Sequence, residues 1–95
     1  MAAYMIVNLT FHDLAWTRDY TAHVPGMVRE HGGEYLVRSK TVTRLEGNGP
    51  TPDHIVILTF PTLADIHAFM ARPDYAPFRD ARVAATDSDI LIFEA

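Results

Sequence analysis

The chain has 95 residues, 48% of them hydrophobic and 21% charged, with no cysteine and a formal net charge of −4, as expected of a single domain over residues 1–95. The lack of cysteine excludes disulfides, thiolate zinc sites and a cysteine nucleophile. No apolar run approaches the ~18 residues of a membrane span, and the eight basic residues are scattered, so we expect neither membrane nor nucleic-acid partners.

The first third of the chain predicts a strand followed by a helix. Apolar residues alternate from Tyr4 to Phe11, as in a strand, and no basic leader region precedes it, so we expect a cytoplasmic protein. Asp13 can cap a helix from Leu14 to about His31. Pro25 should kink or divide that helix. The Gly32-Gly33 pair should end it, because glycine accepts the left-handed conformation found past helix ends.

The middle of the chain predicts two strands separated by a loop. Tyr35 to about Leu45 is rich in strand-forming residues. Residues 46–53 contain two glycines and two prolines and therefore predict a loop. His54 to Phe60 is a third strand. Thr62 can cap the helix that follows it.

The last third predicts a broken helix and a fourth strand. Leu63 to Ala71 and Asp74 to about Ala85 are helical, with a break near Pro73. Asp87 to Asp89 predicts a turn, and Ile90 to Glu94 a strand. The element order β-α-β-β-α-β predicts a ferredoxin-like α+β fold, an antiparallel sheet with its helices on one face.

Both faces of the predicted sheet are apolar, although helices can cover only one of them. One face carries Val56, Leu58 and Leu91, and the other carries Ile55, Ile57, Ile90 and Ile92. The second face needs a cover, and the chain has no spare segment. We therefore expect a homodimer in which two sheets face each other as a dimeric α+β barrel.

The order of several short motifs resembles a known family. These are Asp13, Trp16, Tyr20, His31-Gly32-Gly33, Leu36-Val37-Arg38, Leu45-Glu46-Gly47, Phe60-Pro61, Pro73-Asp74-Tyr75 and Arg82. They are similar to the domain of unknown function 1330 family, whose reaction is not established. The resemblance implies a ferredoxin-like fold in the dimeric α+β barrel superfamily, which also contains cofactor-independent monooxygenases, muconolactone-isomerase-like enzymes and haem-handling proteins. Thr59 stands where the family usually has a glutamate.

Strand alternation predicts a ligand site on the partner-facing side of the sheet. That side should be mostly aliphatic, with Asn8, Arg38 and Thr59 as its polar residues, a composition typical of small-ligand pockets. A guanidinium on an apolar face needs an anion. Arg38 should therefore bind a ligand carboxylate, or else pair with Glu46 or with an acid of the other subunit.

Two residues are candidate proton-transfer groups. Glu46 could act as a general base or orient Arg38, or be a strand-end carboxylate that is exposed or bonded to loop amides. His54 opens the third strand near the proposed cavity, or is a loop-edge residue near water.

Tyr75 could donate its hydroxyl to a ligand, or pack its ring in the core. The five histidines lack metal-ligand spacing, so we expect no metal and no cofactor.

Two further patterns have structural interpretations. Trp16 and Tyr20 lie one turn apart, as in a core-packing stripe or an aromatic wall for a planar ligand. Arg79 and Arg82, near Asp80, are typical of a solvated salt-bridge face.

The leading hypothesis is a homodimer with a small-molecule pocket between sheet and helices. It could be a cofactor-independent enzyme acting on a small carbonyl or carboxylate compound, with Arg38 as anchor and Glu46 or His54 moving a proton. Isomerisation or oxygenation is implied only by superfamily analogy. The alternatives are a non-catalytic dimer that binds a metabolite or only assembles, and haem or metal binding through His54.

Overall fold

The computed structural model describes residues 2–95. Its elements are β1 (Ala3–Phe11), α1 (Thr17–Glu30), β2 (Glu34–Ser39), β3 (His54–Phe60), α2 (Leu63–Met70), α3 (Ala76–Ala85) and β4 (Thr86–Glu94). Within this range the strands form one antiparallel sheet in the order β2-β3-β1-β4. This is the ferredoxin-like α+β fold that the sequence predicts, including the break between the last two helices.

The core lies between one face of the sheet and the helices. Alternate residues of the two central strands are buried there: Ala3, Met5, Val7, Leu9, Val56, Leu58 and Phe60. Val24 and Val28 of α1 and Ile66 and Phe69 of α2 pack against them. The strict alternation assigns the remaining residues of β1 and β3 to the opposite side of the sheet.

The helix α1 is continuous through Pro25, so the predicted division does not occur. An interior proline costs about 3 kcal/mol, whereas burying an aliphatic side chain contributes about 1.5–3 kcal/mol. The buried pair Val24 and Val28 therefore offsets the proline. Asp13 lies before the helix, in a turn where its Oδ1 accepts the N–H of Ala15. The helix itself starts only at Thr17.

The predicted helix end at Gly32-Gly33 is confirmed, and the two glycines have different structural roles. Gly32 has φ +77°, in the left-handed region. Gly33 is buried, and its N–H donates to Val28 O at 2.9 Å. A Cβ at Gly33 would lie 2.5 Å from Val28 Cγ1 and 2.7 Å from Phe60 Cε2. The second glycine is therefore needed for close packing of the turn on β3.

The strand β2 is shorter than predicted and ends at Ser39 rather than Leu45. Ser39 pairs with Ile55, next to the first residue of β3. Residues further along the chain have no strand beside them, because Pro50 and Pro52 precede β3. Leu45 is instead fully exposed in the loop that joins the two strands.

The strand β4 is longer than predicted, and its side chains alternate in the opposite sense. Residues 87–89, predicted as a turn, pair with residues 8–10 of β1. Ile90 and Ile92 pair with Val7 and Met5, so they lie on the helix-covered face and not on the side facing a partner. Leu91, which pairs with Ile6, lies on the side predicted to face a partner.

The opposite side of the sheet, called the free face below, is apolar and uncovered in the single chain. The residues on it include Tyr4, Ile6, Val37, Ile55, Ile57, Leu91 and Phe93. Phe93 stacks on Tyr4 with ring centroids 5.2 Å apart, and Leu91 is 60% exposed. None of the helices in residues 2–95 has the length and hydropathy needed to cross a bilayer.

Candidate functional site

A β-bulge in β2 places Arg38 on the side of the sheet opposite to the predicted one. Tyr35 pairs with Leu58, and Val37 pairs with Ile57, so Leu36 is an extra residue between them. Arg38 then pairs with Val56, on the helix-covered face. The prediction that Arg38 faces a partner subunit is therefore wrong, because one inserted residue reverses the alternation of everything after it.

The side chain of Arg38 reaches a cavity of about 410 Å³ between α1 and the sheet, called the outer cavity below. Its walls are apolar and aromatic, with a few polar residues. They are Leu9, Phe11, Leu14, Trp16, Thr17, Tyr20, Thr21, Pro25, Tyr35, Arg38, Lys40, His54 and Val56. Trp16 and Tyr20 meet edge to face, with ring centroids 5.1 Å apart. Both also pack against the core, which confirms the predicted core-packing stripe. Their role as an aromatic wall for a planar ligand stays a prediction.

The outer cavity is lined by basic side chains and, over residues 2–95, by no acidic one. Arg38, Lys40 and His54 line it, and no carboxylate does so among the lining residues in the described chain. Within residues 2–95 Arg38 forms no ion pair, so the predicted alternative of pairing with Glu46 is not formed. Its guanidinium lies over the Tyr35 ring instead, 4.1 Å from the centroid. The cavity therefore presents a positive potential on an apolar wall.

His54 lines this cavity, and its surroundings favour the unprotonated imidazole. Burial lowers the pKa of His54, and the nearby positive charges of Lys40 and Arg38 lower it further. Its Nε2 is buried and has no hydrogen-bond partner in the part of the chain that the structure describes. An unprotonated imidazole beside a ligand cavity can act as a general base.

Glu46, the other candidate proton-transfer group, lies outside the cavity. It is exposed in the loop between β2 and β3, and its backbone oxygen accepts a hydrogen bond from Arg44 Nη1 at 3.3 Å. The prediction that it ends the second strand is wrong, since β2 stops at Ser39.

Asn8 and Thr59 lie on the free face, as predicted, and therefore on the side of the sheet opposite Arg38. The Thr59 hydroxyl donates to Ala3 O at 3.1 Å. The side-chain oxygen of Asn8 is buried without a hydrogen-bond partner among residues 2–95. The sequence-predicted site residues thus divide into two groups that the sheet separates.

A smaller space of about 70 Å³, called the inner cavity below, adjoins the outer one and shares five of its lining residues. Those five are Leu9, Trp16, Tyr20, Tyr35 and Val56. Tyr75 lines the inner cavity, and its hydroxyl lies 3.1 Å from that of Tyr20. Its ring is fully buried, so both predicted roles for Tyr75, ring packing and a hydroxyl at a cavity, describe its position.

Arg82 also lines the inner cavity and is only 4% exposed. The prediction that it belongs to a solvated face is wrong. Tyr75 and Arg82 are seven residues apart, two helical turns, so helical periodicity places them on one face. That spacing is the signal in the sequence that could have revealed the burial of Arg82.

No three histidine or acidic side chains of residues 2–95 are grouped closely enough to hold a metal ion.

The sequence matches one family model along almost its whole length. The model, described as domain of unknown function (DUF1330), matches residues 2–95. The chain belongs to the DUF1330 family. No curated protein matches it.

Solved structures resemble this DUF1330 member in fold. A protein of unknown function from Rhodopseudomonas palustris is 17% identical, with a TM-score of 0.86 over 99% of this chain and 82% of that one. A dimeric ferredoxin-like protein of unknown function from Jannaschia sp. CCS1 is 16% identical, with a TM-score of 0.74 over all of both chains. SnoaB, a cofactor-independent oxygenase from Streptomyces nogalater, is 17% identical, with a TM-score of 0.69 over 99% and 92%. At these identities the likeness establishes the ferredoxin-like fold of the chain.

Proposed function

We propose that the outer cavity binds a small aromatic or otherwise apolar compound that carries a carboxylate or another oxyanion. The observation that carries this proposal is the lining itself, four aromatic side chains and three basic ones with no acid. Small-ligand sites are typically apolar cavities with a few convergent polar groups. Ring walls favour a planar body, and a guanidinium favours a planar anion.

Arg38 would anchor the anionic group of the ligand. Its guanidinium is free of carboxylate partners among residues 2–95 and is held by the Tyr35 ring. Because a guanidinium can form two parallel hydrogen bonds to a carboxylate, this arrangement also orients the ligand. Lys40 would add charge without fixing the geometry.

His54 would be the proton-transfer group if the protein is an enzyme. The lowered pKa of His54 favours its unprotonated ring, the form that accepts a proton as a general base. Glu46 is outside the cavity, so we leave it out of the proposed site. The likeness in fold to SnoaB, a cofactor-independent oxygenase, supports chemistry that needs no bound cofactor, as an analogy only.

We also propose that the chain is a homodimer assembled through the free face. This face is apolar, with Leu91, Phe93 and Val37 each exposed by 44% or more. A contiguous apolar surface of this kind is typical of an interface. The Jannaschia sp. CCS1 protein, which has the same fold, is dimeric.

Calorimetric titration with benzoate tests the binding site. Wild type should bind benzoate, and Arg38→Met should weaken binding by at least about tenfold, since a charge-assisted hydrogen bond contributes about 1.5–3 kcal/mol. Arg18→Met is the matched control, because Arg18 is exposed on α1 and does not line the cavity. Equal affinities for wild type and Arg38→Met, or no binding by wild type, would refute the proposed site.

A second candidate function, ligand binding without catalysis, is favoured by the lack of a carboxylate or a second histidine among the lining residues in the described chain. Hydrogen exchange separates the two functions. An enzyme of the proposed type should move a proton from the carbon beside the carbonyl of phenylpyruvate to the imidazole of His54 and return a deuteron from deuterated water. Exchange seen by NMR and lost in His54→Gln supports catalysis, whereas binding without exchange supports the second candidate.

A further inference from the structure

The inner cavity contains more hydrogen-bond donors than the protein itself uses. The hydroxyls of Tyr20 and Tyr75 lie 3.1 Å apart, so one donates to the other. The hydrogen of the second hydroxyl has no acceptor among residues 2–95. Both side chains line the same small space, which therefore has one tyrosine O–H free to donate.

Arg82 adds a positive charge that is nearly inaccessible to water. The residue is 4% exposed. Its Nη1 donates to Ser88 Oγ at 2.8 Å, while its Nε is buried without a partner in the part of the chain described. Arg82 has no carboxylate within ion-pair distance among residues 2–95. A buried guanidinium without an anion is costly, so the fold is complementary to a negative or strongly polarised oxygen here.

We infer that Arg82, Tyr20 and Tyr75 form an oxyanion subsite, and that the ligand of the outer cavity carries a second oxygen that reaches it. This inference rests on the proposed function and narrows its substrate class. The ligand would be a hydroxy- or oxo-substituted aromatic acid, with its carboxylate on Arg38 and a phenol, enol or carbonyl oxygen in the inner cavity.

The size and proton state of the inner cavity fit this role. A cavity that binds a benzene ring has a volume of about 150 Å³, so a space of about 70 Å³ has room for a polar substituent and not for a second ring. Burial raises the pKa of Tyr20 above its ordinary value. Tyr20 therefore keeps its proton, one hydroxyl of the tyrosine pair can donate to the ligand, and negative charge that develops at the subsite resides on the ligand oxygen.

The alternative is that Arg82 is structural, since its bond to Ser88 ties α3 to β4. The two interpretations differ in what the hydroxyls do. A structural role predicts that removing a tyrosine hydroxyl changes stability alone. An oxyanion subsite predicts that the same change alters discrimination between ligands that differ by one oxygen.

Calorimetry with benzoate and para-hydroxybenzoate makes this comparison. Wild type should bind para-hydroxybenzoate about fivefold more tightly, the equivalent of one hydrogen bond of ordinary strength. Tyr75→Phe and Tyr20→Phe should reduce that ratio to about one. Tyr4→Phe is the control, because Tyr4 lies on the free face, and it should keep the wild-type ratio.

The outcomes separate this inference from the proposed function. If wild type binds both compounds equally and Arg38→Met weakens both, the outer site stands and the oxyanion subsite is refuted. If the ratio survives in both tyrosine variants, the subsite is also refuted. If wild type binds neither compound, both proposals are refuted.

The absorbance of bound para-nitrophenol gives a second readout, because its anion is yellow. Arg82 should stabilise that anion, so the bound phenol should ionise at lower pH than the free one. Arg82→Gln should abolish this shift, whereas Arg18→Met, changed at an exposed position outside both cavities, should keep it. If Arg82→Gln does not fold, Tyr75→Phe keeps the buried ring and should reduce the shift. A shift lost only in Arg38→Met would overturn the assignment.

Discussion

The guanidinium carbon of Arg38 lies 4.1 Å from the centre of the Tyr35 ring, although the two residues are three apart in one strand. In a regular strand, residues at that spacing point to opposite faces. The bulge at Leu36 brings them to one face. Without the bulge, Arg38 would lie on the free face, and the outer cavity would lack the guanidinium that is proposed to bind the anion.

The Tyr35 ring should contribute to anion binding by holding Arg38. Tyr35→Leu removes the ring, and a cation–π contact at an exposed site contributes about 0.5–1 kcal/mol. We expect two- to fivefold weaker benzoate binding, by about the same free energy. Tyr35→Phe keeps the ring and should bind as wild type. An equal loss in both variants would show that the hydroxyl, and not the ring, matters.

Acid should destabilise the fold through His54. The folded-state pKa of His54 is lowered, so the unfolded chain binds this proton more tightly. The contribution of His54 to the free energy of unfolding is therefore complete above the unfolded-state pKa of about 6.5. It decreases as the pH falls from that value towards the lower folded-state pKa. In urea unfolding at near-neutral pH and at about pH 5, His54→Gln should lose less stability than wild type. His67→Gln, changed at an exposed position on α2, should follow wild type.

A bound anion should raise the pKa of His54 again, because a nearby negative charge favours the protonated ring. The His54 ring proton signal, assigned by its loss in His54→Gln, should titrate at higher pH with saturating benzoate than without it. Arg38→Met, which weakens benzoate binding, should show a smaller change at the same benzoate concentration. An unchanged titration in wild type at saturation would place the anion elsewhere.

Two glycines should respond to alanine in opposite directions. A Cβ at Gly33 would collide with Val28 and Phe60, so Gly33→Ala should destabilise by about 1–3 kcal/mol. At Gly26, inside α1, the nearest atom to an added Cβ is 4.0 Å away. Gly26→Ala should therefore stabilise by about 0.5–1 kcal/mol. The thermal unfolding midpoints of the two variants and of wild type measure both effects. An unchanged midpoint for Gly33→Ala would contradict the close packing of Gly33 against Val28 and Phe60.

A charge on the free face should separate the proposed dimer. Leu91 is 60% exposed there and Val83, on α3, is 58% exposed. Light scattering should find a dimer for wild type and for Val83→Lys, and a monomer for Leu91→Lys. A wild-type monomer, or an unaffected Leu91→Lys dimer, would rule out this face as the interface.

The sequence predicts elements well where local signals agree. The strand β3 has the predicted bounds, His54–Phe60. The N-cap of α2 is also confirmed, since Thr62 Oγ1 accepts the N–H of Asp65 at 3.2 Å. In both cases the pattern, the turn chemistry and the flanking proline point to the same boundaries.

The site was harder to predict, because it depends on pairing between distant strands. Arg38 changes face through one extra residue, which alternation within β2 cannot reveal. The length of β2 depends on where β3 begins, and the direction of Ile90 depends on its pairing with Val7. Arg82 is buried because α3 packs it over the inner cavity, although a charged residue close to Arg79 and Asp80 is typical of a solvent-exposed position.

Trp16 is the only tryptophan of the chain, and it lines both the outer and the inner cavity. Its indole N–H already donates to Asp13 O at 2.7 Å, which holds the ring in place. Its emission therefore comes from one defined position in the cavity wall. A ligand that enters should quench or shift that emission, so the molecule carries its own optical reporter of occupancy, and a compound library can be screened on unlabelled protein.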